Sequence, residues 1–454
     1  MKRFKLFSAS VLVLFLLSIT STHSQWVYTG GFSYSGTVPP SVSIVDPNVL
    51  WICGGTNVPL VFRSTNAGVN FTSAIGNLTL DQFCIWGISA TTAYIGDGGV
   101  SGGAGGNAKV NKTTDGGVTW NLVMSTGGTA GFINGIVFSR TNPQIGCIES
   151  DPPNGLGTSY WVQLTTNGGT SWTLLSPPGV SGAASAQNSV FIIDQTFMGY
   201  GLNAAPARVT VTTNGGTTWT TSSLPGTTGP FVSGIAFSTD KLRGIAVTAS
   251  DLPAVDFTTD AGTSWISRNV GTGITGILSA CKWIPGTNVI YVVGQATTAN
   301  AIKRSTDGGT TWTTMTTGGI SAVSHFDFVL GSGNVIFGFA VALDGSCLRL
   351  RDSVLVTGIN NNNNEIPVEY ALNQNYPNPF NPSTTIRYAL PRSSNVTLKI
   401  YDMLGNEVKT VVNEFKTAGN YSVNFDASSL SSGVYFYKIV AGDFTDAKKM
   451  TLVK

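Results

Sequence analysis

Charge is scarce in this chain of 454 residues, since Asp, Glu, Lys and Arg together make up 11% of it and the formal net charge is +2. So small a charge supplies neither the basic field that attracts nucleic acid nor an acidic interaction tail. We therefore expect no nucleic-acid partner. Acid–base chemistry also has few candidates, because Glu149 is the only glutamate before Glu365.

Histidine and cysteine are equally rare. The two histidines are His23 and His325, which excludes a multi-histidine metal centre, and we expect neither a metal nor a cofactor. The five cysteines form no CxxC pair, so a zinc site is not expected. Their irregular spacing favours small buried residues on separate strands, although a disulfide between the first two stays open; they are Cys53, Cys84, Cys147, Cys281 and Cys347.

Long apolar runs are missing after the first 24 residues. Near the start, basic residues precede an apolar run at residues 11–17, and Thr22 and Ser24 provide small side chains before Gln25. This order is typical of a secretory signal peptide, which we place at residues 1–24. No later stretch approaches the ~18 apolar residues of a membrane span, so we expect none in the mature protein.

Glycine, in contrast, is abundant, with 55 residues, ten of which lie in six copies of a repeated octet. The octet reads hydroxyl, any residue, Asp or Asn, Gly or Ala, Gly, two further residues and an aromatic, as in STDGGTTW at residues 305–312. Its Asp or Asn and its glycines suit a tight hairpin turn, after which the aromatic starts a strand and anchors the core. The closing aromatics fall at 71, 120, 172, 219, 265 and 312, a period that indicates stacked units.

The units can be counted. An apolar hairpin precedes each octet, and a seventh hairpin is followed by a single further strand at residues 347–350. Residues 25–30 supply the missing outer strand, with Trp26 where the octets have their aromatic. We therefore predict an all-β fold: a seven-bladed β-propeller of four-stranded antiparallel blades at residues 25–357, whose N-terminal strand closes the last blade.

The octets resemble the Asp-box, or BNR repeat, of β-propellers such as sialidases, glucan hydrolases, sortilin-like receptors and photosystem II assembly factors. Half of the acidic positions are Asn, which cannot act as acid or base, so we expect a structural turn. The structural residues predicted by this resemblance are Asn66, Phe71, Asp115, Trp120, Asn167, Trp172, Asn214, Trp219, Asp260, Trp265, Asp307 and Trp312.

No catalytic constellation is visible, and we predict no catalytic residue. His325 and Asp327 lie two apart on a predicted inner strand, so their side chains share a face. Together with Glu149 and Asp151 they form a possible binding site at the channel rim; the simpler alternative is a hydrogen-bonded pair. The expected function is non-catalytic binding or scaffolding of a protein or glycan by a monomer, and the alternative is a secreted glycoside hydrolase, which would need two facing carboxylates.

The tail differs from the propeller. An Asn-rich linker at residues 358–371 precedes short alternating strands at 372–454, which predict a small Ig-like β-sandwich. Its motifs NYPNPFNP, IYDMLG, SGVYFYK and KKMTLVK resemble the type A C-terminal sorting domain of the type IX secretion system. That resemblance implies a Gram-negative cell, secretion machinery as partner, export to the surface or medium, and a sorting signal that includes Gly433, Tyr435, Lys438, Lys448, Lys449 and Lys454.

Overall fold

The structure is a computed structural model. It describes residues 26–32, 34, 36, 38–55, 59–99, 106–226, 231–248, 254–270, 277–294, 302–320, 322–331, 335–353, 370–375, 377–416 and 419–453. The predicted signal peptide, residues 358–369 of the predicted linker and Lys454 lie outside these ranges. The described ranges contain 35 strands, β1 to β35, and among them there is no helix that would cross a membrane.

Seven four-stranded antiparallel sheets form the blades of a β-propeller, as predicted. The inner strands of blades 1 to 7 lie next to one another around the axis; they are β2 (Val38–Ile44), β6 (Gln82–Gly87), β10 (Ile133–Phe138), β14 (Ala184–Asp194), β18 (Val232–Phe237), β22 (Leu278–Trp283) and β26 (Val323–Leu330). The second strands are β3 (Leu50–Gly55), β7 (Ala93–Asp97), β11 (Gly146–Ser150), β15 (Phe197–Asn203), β19 (Gly244–Thr248), β23 (Ile290–Gly294) and β27 (Val335–Ala342).

The third strands are β4 (Pro59–Ser64), β8 (Lys109–Thr113), β12 (Trp161–Thr165), β16 (Arg208–Thr212), β20 (Ala254–Thr258), β24 (Ile302–Ser305) and β28 (Ser346–Ser353). Short outer strands complete blades 1 to 6; they are β5 (Thr72–Ser73), β9 (Asn121–Ser125), β13 (Thr173–Leu175), β17 (Thr220–Ser223), β21 (Ile266–Asn269) and β25 (Thr313–Met315). The outer strand of blade 7 comes from the N-terminal end of the propeller sequence.

That strand is β1 (Trp26–Gly31), which pairs antiparallel with β28, so that Trp26 faces Leu350 and Tyr28 faces Leu348. The prediction that the first strand closes the last blade is confirmed. Trp26 is 3% exposed and makes edge contacts with the rings of Tyr291 and Phe326. Closure therefore covers the edge of blade 7 and also fills the contact between blades 6 and 7.

Aromatic side chains from the octets fill the contacts between neighbouring blades. Trp120 of blade 2 lies in a buried cluster with Trp51 and Ala74 of blade 1, and its indole nitrogen donates to the carbonyl of Ala74 at 2.9 Å. Phe71 packs in the same way against Phe339 of blade 7. The burial of the octet tryptophans varies: Trp120 and Trp265 are buried, whereas Trp172, Trp219 and Trp312 are half-buried.

In every octet turn the first residue, a Ser or Thr, is buried and the Asp or Asn is exposed. The Thr113 hydroxyl is fully buried, accepts from the backbone nitrogen of Gly117 at 3.0 Å and donates to Asp115 at 2.8 Å. Asp115 itself lies at the surface and accepts from the backbone nitrogen of Thr119. Asn167 accepts the equivalent bond from the backbone nitrogen of Ser171 at 2.9 Å, which explains why either Asp or Asn can occupy this position.

The tail forms a two-sheet β-sandwich. One sheet has the order β29 (Ala371–Leu372), β30 (Ser383–Leu390), β33 (Gly419–Asp426); the other has the order β32 (Glu407–Lys416), β31 (Ser394–Tyr401), β34 (Gly433–Ala441), β35 (Phe444–Leu452). Leu398, Tyr437 and Met450 are fully buried between them. The sandwich thus has an apolar core of its own.

The predicted sorting residues lie on the last two strands of this sandwich. Gly433 pairs with Leu452 at one end of the β34–β35 pair, and Tyr435 donates its hydroxyl to the Ser431 carbonyl at 2.8 Å. The side chains of Lys438 and Lys449 are exposed, whereas Lys448 is half-buried and pairs with Asp446 at 3.8 Å.

The five cysteines are buried and unpaired, so the structure contains no Cys53–Cys84 disulfide. Burial raises the pKa of the Cys281 thiol to about 12, which keeps it protonated and unreactive at neutral pH.

A candidate binding site at the mouth of the central channel

A cavity of about 450 Å³ opens where the inner strands begin. The start of every inner strand contributes to its wall: Pro39, Phe83, Asn134, Ser185, Ser233, Ser279 and Ser324 come from blades 1 to 7 in turn. Because the lining is drawn from all seven blades, this cavity is the mouth of the central channel. We call it the mouth cavity.

The floor of the mouth cavity is an irregular segment of β14. The pairing register with β15 jumps from Ser185–Leu202 to Val190–Tyr200, which leaves residues 186–189 as a four-residue bulge opposite Gly201. Within it, Asn188 has a φ of 58°, in the left-handed region that Asn tolerates better than most residues. The bulge therefore leaves the plane of its blade.

The bulge reaches across the channel to other blades. Gln187 donates from its side-chain amide to the carbonyl of Phe83 in blade 2 at 2.6 Å. Asn188 accepts from the hydroxyl of Ser41 in blade 1 at 3.1 Å. Beneath Asn188 there is a small void of about 20 Å³, lined also by Lys282 and Asp327. The bulge thus closes the mouth cavity from below.

Asp151 forms one wall of the mouth cavity. Its Oδ1 accepts from the backbone nitrogen of Ser185 at 2.7 Å, the Ser185 hydroxyl at 2.8 Å and the side-chain amide of Asn134 at 2.9 Å. No described residue donates to Oδ2, and Asp151 has no lysine or arginine partner in the described chain. Burial raises the pKa of Asp151, and the Ser185 and Asn134 donors only partly offset this.

His325 forms part of the opposite wall, in blade 7. Its Nδ1 accepts from the backbone nitrogen of Val42 at 3.2 Å, which places the imidazole proton on Nε2. The residue is 7% exposed, and burial together with the nearby Lys282 lowers the pKa of His325 to about 3. His325 is therefore neutral at physiological pH and contributes an N–H donor without a charge.

Aromatic rings complete the mouth cavity. Phe83 and Phe132 both line it and contact each other edge to face at 5.4 Å between ring centroids. Phe231 also lines it and is 46% exposed, a large fraction for an aromatic side chain. The site therefore combines apolar surface with a few polar groups, as small-molecule and side-chain pockets do.

The opposite end of the channel has a different character. A cavity of about 490 Å³ there is lined by Trp86, Phe138, Arg140 and Phe328 among others. Arg140 lies over the ring of Trp86 at 4.4 Å and forms a salt bridge with Asp327. Burial alone would raise the pKa of Asp327, but Arg140 and Lys282 hold it below its usual range. This carboxylate is thus paired with a cation, unlike that of Asp151.

Of the four residues predicted to form a rim site, the structure brings only two together. Asp151 and His325 line the mouth cavity, whereas Asp327 lies beyond the β14 bulge and lines a cavity of about 100 Å³ that shares Trp86 and Arg140 with the cavity at the other end. Asp327 and His325 bond separately to blade 1, where Asp327 accepts from the backbone nitrogen of Ile44 at 3.0 Å.

Glu149 is fully buried in blade 3, and neither of its carboxyl oxygens has a hydrogen-bond partner among the described residues. It shares a face of β11 with Cys147, which packs between blades 3 and 4. Burial raises the pKa of Glu149 well above its usual value, and Asp151 raises it further. Glu149 lines none of the four cavities described.

Sequence reasoning missed the residues that shape the site: Asn134, Ser185, Gln187 and Asn188. One signal was available, since the polar run SAQNS at residues 185–189 interrupts an otherwise apolar inner strand. Within the described ranges, no group of three or more His, Cys, Asp or Glu residues is arranged to hold a metal ion.

Comparisons with known proteins support both parts of the architecture. Residues 374–453 match the family model described as the secretion system C-terminal sorting domain. An ancestral GH74 enzyme has a similar fold, with 14% sequence identity and a TM-score of 0.54 over 94% of this chain, which spans only 63% of the enzyme's length. At such low identity the likeness concerns the fold alone.

A structure of YCF48 bound to a D1 peptide is also similar, with 15% identity and a TM-score of 0.49 over 75% of this chain and 98% of YCF48. No curated protein matches the sequence significantly. The protein is thus a β-propeller joined to a C-terminal sorting domain, which is recognised by type IX secretion machinery and marks the chain for export across the outer membrane to the cell surface or the medium.

Proposed function

We propose that this exported propeller is a monomeric, non-catalytic binding protein whose ligand enters the mouth cavity, and that its octets are Asp-boxes with a purely structural role. The observation that carries the proposal is the mouth cavity itself, which all seven blades line and the β14 bulge closes from below. A blind cavity of about 450 Å³ with convergent polar groups and aromatic rings suits a ligand group that inserts from one side.

Support for a non-catalytic role comes from the carboxylates. Hydrolysis of a glycosidic bond requires two carboxyl groups roughly 5–10 Å apart with the substrate between them. Asp151 is the one acid among the described residues that line the mouth cavity, and Glu149 is sealed between blades. At the other end, Asp327 is held by Arg140. Neither end therefore offers a free acid–base pair.

The proposal is tested with the exported chain, expressed without residues 1–24. A glycan array and a pull-down from surface and medium fractions identify ligands, and each hit is repeated with Asp151→Asn and with Asp97→Asn. Asp97 is a matched control because it is a buried carboxylate that accepts from two backbone nitrogens and does not line the mouth cavity. We expect only Asp151→Asn to weaken binding.

Two results would contradict the proposal. Hits that bind both variants equally would place the ligand site elsewhere on the molecule. Release of reducing ends from any glycan that binds, abolished by Asp151→Asn, would favour the alternative of a secreted glycoside hydrolase.

A further inference from the structure

The mouth cavity contains a carboxylate without a counter-ion. Asp151 is 9% exposed, and in the described chain it forms no salt bridge. Two other buried carboxylates pair with arginine: Asp327 with Arg140, and Asp352 with Arg304 at 2.7 Å. A buried charge is costly unless something compensates it, so an uncompensated one at an open cavity requires an explanation.

The neighbours of Asp151 do not supply a positive charge. Among the described residues that line the mouth cavity there is no lysine or arginine, and His325 is held neutral by burial and by the nearby Lys282. The three hydrogen bonds to the side chain of Asp151 all go to Oδ1. Oδ2 is therefore left as an acceptor at the wall of the cavity, and no described lining residue brings a positive charge to it.

The rest of the lining suits a cation as well. Phe83, Phe132 and Phe231 all line the same cavity as Asp151. The face of an aromatic ring attracts a positive charge, and the attraction grows when water is excluded. The lining also contains a neutral donor, the Nε2–H of His325, and a neutral acceptor, the amide oxygen of Asn134. These would form hydrogen bonds with polar groups that lie next to the charge of the ligand.

From these observations we infer that the mouth cavity binds a cationic group, an ammonium or a guanidinium, with Asp151 as its counter-ion and the phenylalanine rings around it. This inference rests on the proposed function and specifies the chemistry of its ligand. The cation could belong to a lysine or arginine side chain of a peptide or to a free amine, and the experiment distinguishes these two sources.

The test uses the exported chain without residues 1–24 and four probes, measured by isothermal titration and ligand-observed NMR. Nα-acetyl-lysine methylamide and its arginine counterpart represent peptide side chains, cadaverine represents a free amine, and the norleucine counterpart has nearly the shape of lysine without its charge. We expect at least one cationic probe to bind and the norleucine probe to bind at least about tenfold more weakly, because the ion pair is lost.

Variants locate the site. Asp151→Asn keeps the size of the side chain and should weaken binding of the cation by about tenfold or more, whereas Asp97→Asn should leave it unchanged. Thermal melts of both variants check folding; if Asp151→Asn is unstable, Phe231→Ala, at an exposed position of the same cavity, is the second probe of the site. Binding of the two acetylated probes but not of cadaverine indicates a peptide source, and the reverse indicates a free amine.

Other results overturn the inference. Equal binding of the lysine and norleucine probes, or full binding to Asp151→Asn, removes the counter-ion role. If no cation binds but a neutral glycan from the array binds in an Asp151-dependent manner, the ligand class is wrong while the proposed function stands. If neither the binding of cations nor that of array hits depends on Asp151, both this inference and the proposed function are wrong.

Discussion

The side-chain amide of Gln187 donates a hydrogen bond to the carbonyl oxygen of Phe83 at 2.6 Å, and thereby joins blade 4 to blade 2 across the channel. These blades are not neighbours, so the bond depends on the β14 bulge, which carries Gln187 out of its own sheet. A propeller with regular inner strands would leave the channel open at this level. In this protein one polar side chain helps to close it.

This bond should matter for stability. Gln187→Ala leaves the half-buried carbonyl of Phe83 without its donor, which should lower the free energy of unfolding by about 1–3 kcal/mol. Chemical denaturation measures the change. Gln163→Ala is the control, because Gln163 is also half-buried but has no side-chain hydrogen bond among the described residues. Equal losses for the two variants would mean that the crossing bond has no special role.

Closure of the ring should depend on Trp26. Trp26→Ala removes a buried indole from the contact between blades 6 and 7 and should cost about 3–5 kcal/mol, as for other buried aromatics. Tyr28→Ala is the control, since Tyr28 lies on the same strand but is 56% exposed. Thermal melts that shift by the same amount for both would show that the strand, and not its indole, provides the stability.

Within an octet, the hydroxyl should outweigh the acid. Thr113→Val keeps the shape of the side chain but leaves the buried backbone nitrogen of Gly117 without an acceptor, so we expect a loss of about 1–3 kcal/mol. Asp115→Asn should cost less than about 1 kcal/mol, because Asn167 already makes the same turn in the next blade. Urea denaturation compares the two, and a larger loss for Asp115→Asn would contradict the assignment.

Glu149 should make stability depend on pH. Its pKa is higher in the folded state than in the unfolded state, where it is about 4.3, so the folded protein binds the extra proton. The resulting stabilisation is present below pH ~4.3 and is lost as the pH rises towards the folded pKa. Glu149→Gln cannot ionise, so its melting temperature relative to the parent should increase with pH between 5 and 9. A difference that does not change with pH would rule out titration of Glu149 as the cause.

In the tail, a point substitution should impair recognition by the secretion machinery without unfolding the sandwich, whereas truncation should do both. Met450 and Leu452 belong to the sandwich core, so removal of residues 448–454 should unfold this domain as well as remove the signal. Lys449→Glu, on the exposed face, should leave the sandwich folded and reduce surface delivery. Cell fractionation with protease accessibility measures delivery. Thr445→Glu, an exposed position on the same strand, is the control for added negative charge.

The sequence alone was enough to identify the architecture. Six octets at a regular spacing, seven hairpins and Trp26 near the start of the predicted propeller left one arrangement in which every blade has four strands, and β1 does pair with β28. The reason is physical: a repeat carries its turn residues and its interblade aromatic locally, so their positions along the chain report the fold directly. The tail was equally accessible, because its motifs are local and occur in order.

The site was decided by tertiary structure. Glu149 and Asp151 are two residues apart, yet one is sealed between blades and the other faces the mouth cavity, while His325, far away along the chain, lies on the wall of that cavity. Which inner-strand residues face a common cavity depends on register and on irregularities such as the bulge at Asn188. The polar run SAQNS marks where the bulge lies, but no local pattern encodes its partners in distant blades, such as Phe83 for Gln187.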